Sequence, residues 1–191
     1  MDLNIIRYTS AVLLALGLCN PASANFSGQF DVSHWTTTDN ASGSVDVSNA
    51  PAYITLTSGN AGIGGDTFFT ITANIAETVS FDWSYTTNDL WGESGTDAFG
   101  YVLNGTTTTL INPNQDFSNP NQLGTATFSV NAGDIFGFDA NTLDGYYGSS
   151  VTVISNFSAV PVAAVPELPS LWLMIFGLLG ITGAQRQRRQ A

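Results

Sequence analysis

The chain has 191 residues, with 15 acidic residues against four basic ones and a formal net charge of −11. The basic residues are all arginines near the two ends: Arg7, Arg186, Arg188 and Arg189. Between Asn25 and Val165 there are 13 acidic residues and no basic one, so this stretch carries a formal charge of −13. Such a surface repels phosphate backbones, which argues against nucleic-acid binding.

Residues 1–24 have the three parts of a secretory signal peptide. Arg7 precedes an apolar run over residues 11–18, which is too short to cross a bilayer as a helix. Ala22 and Ala24 then provide the small residues at positions −3 and −1 of a signal-peptidase site. We therefore expect export and cleavage by signal peptidase after Ala24.

The only cysteine, Cys19, lies within this predicted signal peptide. An alternative is a lipoprotein acylated at Cys19, but that processing needs a small residue just before the cysteine, and Leu18 stands there. Cleavage after residue 24 leaves a body with no cysteine. The body therefore has neither a disulfide framework nor a thiolate metal site.

Residues 161–191 contain three features in a fixed order. A proline-containing motif at 165–170 is followed by an apolar run at 171–184 and an arginine-rich end at 185–191. A helix over the apolar run would be about 21 Å long at ~1.5 Å per residue, which is short for a ~30 Å hydrocarbon core unless flanking residues help. Arginines mark the cytoplasmic side of a membrane, so we expect the body to lie outside the inner membrane.

This three-part order resembles the PEP-CTERM sorting signal of exported bacterial proteins. The resemblance implies that exosortase, a membrane-embedded transpeptidase-like protease, recognises Pro166, Glu167 and Pro169 as a substrate motif and releases or transfers the body. Leu168 is a departure, because the commonest form has the second proline directly after the glutamate. The resemblance also implies a Gram-negative cell surface and an exopolysaccharide matrix. An ordinary tail anchor with a proline linker is the alternative.

The body, residues 25–160, shows the period-two alternation of half-buried strands. Val79, Phe81, Trp83 and Tyr85 alternate with polar residues, and Asn104-Gly105 is a strong two-residue hairpin signal. We predict an all-β fold, an antiparallel β-sandwich of jelly-roll type. The predicted strands are 28–33, 43–48, 53–56, 69–72, 79–85, 99–104, 107–111, 125–130, 134–140 and 150–159.

The body offers few groups for catalysis. Its one histidine, His34, adjoins Trp35, and a lone histidine near an apolar residue is usually a packing or surface residue. The carboxylates show no spacing that singles out a glycosidase pair. We predict no catalytic residue and no cofactor. A carboxylate-based hydrolase is the alternative, and it requires two carboxyl groups in one cleft.

Calcium is the metal that this composition favours, because Ca²⁺ takes oxygen ligands from flexible loops. Asp89, Glu93 and Asp97 fall in one predicted loop and are candidate ligands. The segment does not match the EF-hand spacing. A solvated acidic loop without a metal is therefore the alternative.

Three aromatic residues, Trp91, Tyr146 and Tyr147, fall in predicted loops, where they could stack on sugar rings or cap the ends of the core. Our main hypothesis is an exported, non-enzymatic surface or extracellular-matrix protein that acts in adhesion or matrix structure. The alternative is a carbohydrate-binding, lectin-like module, with or without a structural calcium, whose partner is an exopolysaccharide.

Overall fold

The computed structural model describes residues 25–89, 94–112 and 120–162. Within these residues the chain forms ten β-strands and three short 3-10 turns. The strands are β1 Thr36–Asp39, β2 Ser44–Asp46, β3 Tyr53–Thr57, β4 Gly65–Thr72, β5 Glu77–Thr87, β6 Phe99–Leu103, β7 Thr106–Thr109, β8 Asn121–Val130, β9 Ile135–Thr142 and β10 Ser150–Pro161.

The strands form two five-stranded antiparallel sheets. Sheet A has the order β1-β4-β9-β6-β7, and sheet B has the order β2-β3-β10-β5-β8. From β3 to β10 the chain places four strands in each sheet in the order of a jelly roll. The predicted all-β antiparallel sandwich is therefore confirmed.

Alternation along β5 shows why these sequences form half-buried strands. Val79, Phe81 and Tyr85 are buried between the sheets, while Ser80 and Ser84 face outward. Successive side chains of a strand point to opposite faces, so an apolar residue at every second position gives the strand one apolar face. Burial of that face against the opposite sheet removes apolar area from water and stabilises the sandwich.

Aromatic rings fill the centre of the core. Trp35 stacks on Phe69 with ring centroids 4.9 Å apart and on Phe138 at 5.6 Å. The indole Nε1 of Trp35 donates a hydrogen bond to the carbonyl of Phe30 at 3.0 Å. The buried polar atom of this large ring is therefore satisfied, and the sheets are joined by stacked and edge-to-face contacts.

The predicted strand at 28–33 is wrong. The chain instead makes two 3-10 turns, Gly28–Phe30 and Val32–His34. Gly28 has a φ of +61°, and the carboxylate of Asp31 accepts a hydrogen bond from the backbone N–H of Ser33. These local bonds replace ladder bonds, and the turn buries Phe30 without any strand pairing.

The Asn104-Gly105 hairpin is confirmed. Both residues have positive φ angles, 50° and 79°, as a type I′ turn requires, and Leu103 pairs with Thr106 on either side. Strand β1 was not predicted, because its sequence Thr-Thr-Thr-Asp has no apolar residue and all four side chains are exposed.

Strands β1, β3, β5 and β9 all finish at the same end of the sandwich, which we call the loop end. Gly65 pairs with Thr142 there in sheet A, and Thr87 pairs with Ser150 in sheet B. The described chain leaves at the opposite end, where the N–H of Val162 bonds the carbonyl of Ala76. None of the helices in the described ranges is long and apolar enough to cross a membrane.

The predicted signal peptide, with Ala22 and Ala24, lies outside the described residues. The predicted sorting motif, Pro166, Glu167 and Pro169, lies outside them as well, together with the predicted apolar helix at 171–184. Both segments therefore remain predictions of the sequence.

Candidate functional site at the loop end

Two adjacent tyrosines stand out at the loop end. Tyr146 and Tyr147 lie in the β9–β10 connection and keep 54 % and 62 % of their surface exposed. Their ring centroids are 6.0 Å apart, and the ring planes meet at 49°. Both lie in a loop, as the sequence predicts, and neither belongs to the hydrophobic core cluster or packs against it. Trp91, the third predicted aromatic, lies outside the described residues.

Local hydrogen bonds fix the backbone beneath these rings. The carboxylate of Asp144 accepts from the N–H of Tyr146 at 2.9 Å, and the hydroxyl of Thr142 accepts from the N–H of Gly145 at 3.0 Å. Tyr147 has a φ of +67°, a left-handed conformation that costs a non-glycine residue about 1 kcal/mol or more. Such conformations persist only where the surrounding structure enforces them.

The neighbouring β3–β4 connection packs against this loop and is hydrogen-bonded to it. The N–H of Gly62 donates to the carbonyl of Gly145 at 2.7 Å. A side chain could not replace the hydrogen at Gly145, because its Cβ would lie 2.4 Å from the carbonyl oxygen of Ile63. Gly62 has a φ of +75°, and a Cβ there would lie 3.1 Å from the ring of Tyr146, a tight contact. The two loops therefore form one preorganised surface.

This surface is apolar as well as aromatic. Ile63 is 55 % exposed and Leu143 is 65 % exposed, and each lies in one of the two interlocked loops. We call Ile63, Leu143, Tyr146 and Tyr147 the loop-end surface. Contiguous exposed apolar side chains framed by polar residues mark binding sites more often than inert surface.

Beneath the loop end lie two buried carboxylates, Asp89 and Asp97. The hydroxyl of Ser58 donates to Oδ1 of Asp97 at 3.2 Å, and the hydroxyl of Tyr85 donates to the backbone carbonyl of Asp97 at 2.7 Å. The hydroxyl of Thr96 donates to Oδ2 of Asp89 at 2.9 Å. These bonds tie the short 3-10 turn Ser94–Asp97 to β5 and to the residue that follows β3, both strands of sheet B.

Burial raises the pKa of Asp97 to about 6. The negative charges of Asp89 and Asp144 add to this rise in pKa, whereas the hydroxyls of Thr142 and Ser58 oppose it by favouring the charged form. Asp89 and Asp97 are two of the three candidate calcium ligands that the sequence suggests, and the third, Glu93, lies outside the described residues. Within the described ranges no three acidic, histidine or cysteine side chains are grouped to hold a metal, so calcium at this loop stays a prediction.

A second pair of carboxylates lines a cavity of about 210 Å³ on the outer face of sheet A. Asp139 in β9 accepts a hydrogen bond at Oδ2 from the hydroxyl of Thr107 at 2.7 Å, and Asp66 in β4 accepts at Oδ1 from the amide of Asn141 at 2.7 Å. Burial raises the pKa of Asp139 to about 6, and the charge of Asp66 adds to the rise. No signal in the sequence predicts this pair.

His34 lies far from both pairs. It is exposed at the end of the Val32–His34 turn, and its Nδ1 is 3.2 Å from the carbonyl oxygen of Gln29. The cavity beside it is lined by Gln29, His34, Ile71, Thr72 and Asn74, which include no carboxylate.

No protein-family model matches this chain, and no curated protein matches it either. Among solved structures, a family 35 carbohydrate binding module from an environmental isolate is similar, with a TM-score of 0.36, 16 % identity, and coverage of 68 % of this chain and 93 % of that one. A family 35 module from Clostridium thermocellum has a TM-score of 0.33 and 10 % identity, covering 64 % and 92 %.

A third similar structure is a Podospora anserina GH26-CBM35 β-(1,4)-mannanase, with a TM-score of 0.31 and 15 % identity. That match covers 70 % of this chain and 29 % of the mannanase chain. At TM-scores this low, the likeness to all three structures carries no conclusion about the ligand or activity of this chain.

Proposed function

We propose that this chain is an exported, non-enzymatic surface protein whose body binds carbohydrate at the loop end. The observation that carries the proposal is the pair of exposed, adjacent tyrosines, Tyr146 and Tyr147, on interlocked loops. Tyrosine combines a flat apolar ring with a hydroxyl that hydrogen-bonds, so it matches both the apolar faces and the hydroxyl groups of a sugar. A fixed backbone lowers the entropy lost on binding.

The position of the chain ends supports a role at a surface. The described chain leaves beside Ala76, at the end opposite the tyrosines. A body anchored or attached through residues beyond Val162 would therefore point its loop end away from the attachment point. This is the orientation that adhesion to a surrounding matrix requires.

Charge narrows the class of glycan. Residues 25–165 carry 13 acidic side chains and no basic one, so an acidic polysaccharide would be repelled over the whole body. The proposed ligand is accordingly a neutral polysaccharide, in keeping with an exopolysaccharide partner in adhesion or matrix structure.

Retention on immobilised polysaccharides tests the proposal. The full chain, expressed with its own signal peptide, is passed over a panel of neutral glycans, and the Tyr146→Ala and Tyr147→Ala variants are compared with Tyr53→Ala. Tyr53 lies in β3 and is also exposed, so it is a matched control. We expect at least about a tenfold loss of affinity for each loop-end variant, as for other aromatic binding hot spots, and none for the control.

Failure of the wild-type chain to bind any glycan of the panel would contradict the proposal, and so would equal losses in all three variants. Incubation of the wild-type chain with the polysaccharide that it binds tests whether the protein is an enzyme. Release of soluble sugar from a bound polysaccharide, abolished by Asp66→Asn or Asp139→Asn, would establish the hydrolase alternative instead.

The sorting proposal has its own test, which is mass spectrometry of the terminal peptides from each cell fraction. In a host with an exosortase, we expect mature chains that begin at Asn25 and lack the residues beyond the Pro166–Pro169 motif. Replacement of Glu167 by Ala should leave the apolar tail attached. Recovery of a cytosolic body still joined to residues 1–24 would overturn the proposal of export.

A further inference from the structure

One residue that lines the cavity on the outer face of sheet A is a buried aspartate, Asp139, with a carboxylate oxygen that has no hydrogen-bond partner. Asp139 is only 3 % exposed, and its Oδ1 is buried and accepts no hydrogen bond. The cavity is lined by Asp66, Ala98, Phe99, Gly100, Thr107, Thr109, Asp139 and Asn141. From this arrangement we infer that the cavity between Asp66 and Asp139 binds a divalent cation of the calcium type, independently of any glycan at the loop end.

A counter-charge is missing from the protein itself. Burial of a charged carboxylate is unfavourable unless it is paired with a cation or fully hydrogen-bonded. Asp139 has a hydrogen-bond donor at one oxygen only, and Asp66 adds a second carboxylate to the same cavity. No lysine or arginine occurs anywhere between Asn25 and Val165, so no ammonium or guanidinium group of this stretch can pair with Asp139.

The donor atoms match a hard cation. The side chains at the cavity offer carboxylate, hydroxyl and amide oxygens, and no sulfur or imidazole is among the lining residues. Calcium takes six to eight oxygen ligands in irregular geometry and completes its shell with water, whereas magnesium demands a near-ideal octahedron. A cavity of about 210 Å³ has room for the ion and several waters.

The surrounding strands hold the two carboxylates in place. Asp139 reaches Thr107 of β7 across the intervening strand β6, where its register partner is Gly100. Gly100 has no side chain that would block this contact, and a Cβ at that position would lie 2.3 Å from the carbonyl oxygen of Thr108. The amide of Asn141 orients Asp66 in the same way. Such supporting hydrogen bonds are typical of the residues that position metal ligands.

Calorimetric titration of the full chain with CaCl₂ and with MgCl₂ tests the inference. We expect calcium to bind with a Kd of about 10⁻⁴–10⁻³ M, as in other extracellular modules, and magnesium to bind more weakly. Asp139→Asn should weaken calcium binding at least about tenfold. Asp82→Asn should leave it unchanged, because Asp82 lies on the outer face of sheet B and is hydrogen-bonded by Thr125 and Asn156.

Measurements of thermal unfolding distinguish a loss of calcium binding from a loss of the folded structure. Asn has the shape of Asp, and the hydroxyl of Thr107 can still donate to it, so Asp139→Asn without calcium should unfold at the temperature of the wild type or above. The wild type should unfold at a higher temperature in about 10 mM calcium, and Asp139→Asn should not. No heat and no shift for the wild type would overturn the inference. Binding that survives Asp139→Asn but is lost on Asp97→Asn would also overturn it, because the ion would then lie in the loop at 89–97.

Discussion

Two buried carboxylates should make this protein more stable at pH 5 than at pH 8, which is the reverse of ordinary acid destabilisation. Burial raises the pKa values of Asp97 and Asp139 to about 6 from the ordinary aspartate value of 3.8. A raised pKa means that the folded state binds a proton more tightly than the unfolded state. The resulting stability is fully present below pH ~4 and is lost as the pH rises through about 6.

The magnitude follows from the two pKa values. A difference of about two pKa units is worth roughly 3 kcal/mol per group at low pH, because one unit corresponds to about 1.4 kcal/mol. At pH 5 each group retains a little over 1 kcal/mol of this, and at pH 8 almost none. Together Asp97 and Asp139 should therefore raise the free energy of unfolding by roughly 3 kcal/mol at pH 5 relative to pH 8.

Other acids do not offset this gain. Four aspartates have lowered pKa values because nearby hydrogen-bond donors favour their charged forms: Asp31, Asp46, Asp82 and Asp134. They remain charged in folded and unfolded chains throughout pH 5–8, and their contribution is lost only at lower pH. The pKa of Glu77 is raised by burial and so has the same sign as those of Asp97 and Asp139.

Urea unfolding of the full chain at pH 5 and pH 8, followed by tryptophan fluorescence in the presence of a calcium chelator, measures the difference. The chelator matters because a bound cation would stabilise the charged form of Asp139. The double variant Asp97→Asn/Asp139→Asn should lose most of the pH dependence. Equal or lower stability of the wild type at pH 5, or an unchanged pH dependence in the double variant, would refute the reasoning.

Three substitutions test the fold itself by the change in the free energy of unfolding. Trp35→Ala should cost about 3–5 kcal/mol, because it removes the ring stacked on Phe69 and leaves a cavity. Tyr85→Phe should cost about 1–2 kcal/mol, because the carbonyl of Asp97 loses its donor. Gly137→Ala should prevent normal pairing of β4 with β9, since its Cβ would lie 2.0 Å from the carbonyl oxygen of Phe69, and circular dichroism would show the loss. Native stability of any of the three would contradict the packing described.

The sheets could be predicted from the sequence because their apolar residues repeat every second position. Strand β1 could not, since its four residues are all exposed and give no apolar alternation, although they pair with β4. The segment at 28–33 looked like a strand because it combines glycine and apolar residues. The segment forms turns because Gly28 has a positive φ and the carboxylate of Asp31 accepts a hydrogen bond from the backbone N–H of Ser33. Neither feature produces a periodic pattern in the sequence.

The two candidate sites also differ in whether the sequence alone could predict them. Tyr146 and Tyr147 follow a strand within turn residues, so a loop position could be predicted locally. Asp66 and Asp139 are brought together only by the register of β4 against β9, which pairs Asp66 with Asn141 and Phe68 with Asp139. A one-residue slip of that register would turn Asp139 into the core and Phe138 outward. The cavity is therefore a property of the tertiary fold.

Carbohydrate binding at the loop end is tested most directly by mapping a bound oligosaccharide on the protein by NMR. The oligosaccharide is taken from whichever neutral glycan retains the wild-type chain. We predict that the largest chemical-shift changes and the ligand-to-protein contacts fall on Tyr146 and Tyr147, with smaller changes at Ile63 and Leu143. Contacts confined to the outer face of either sheet, with the loop-end resonances unmoved, would contradict the account.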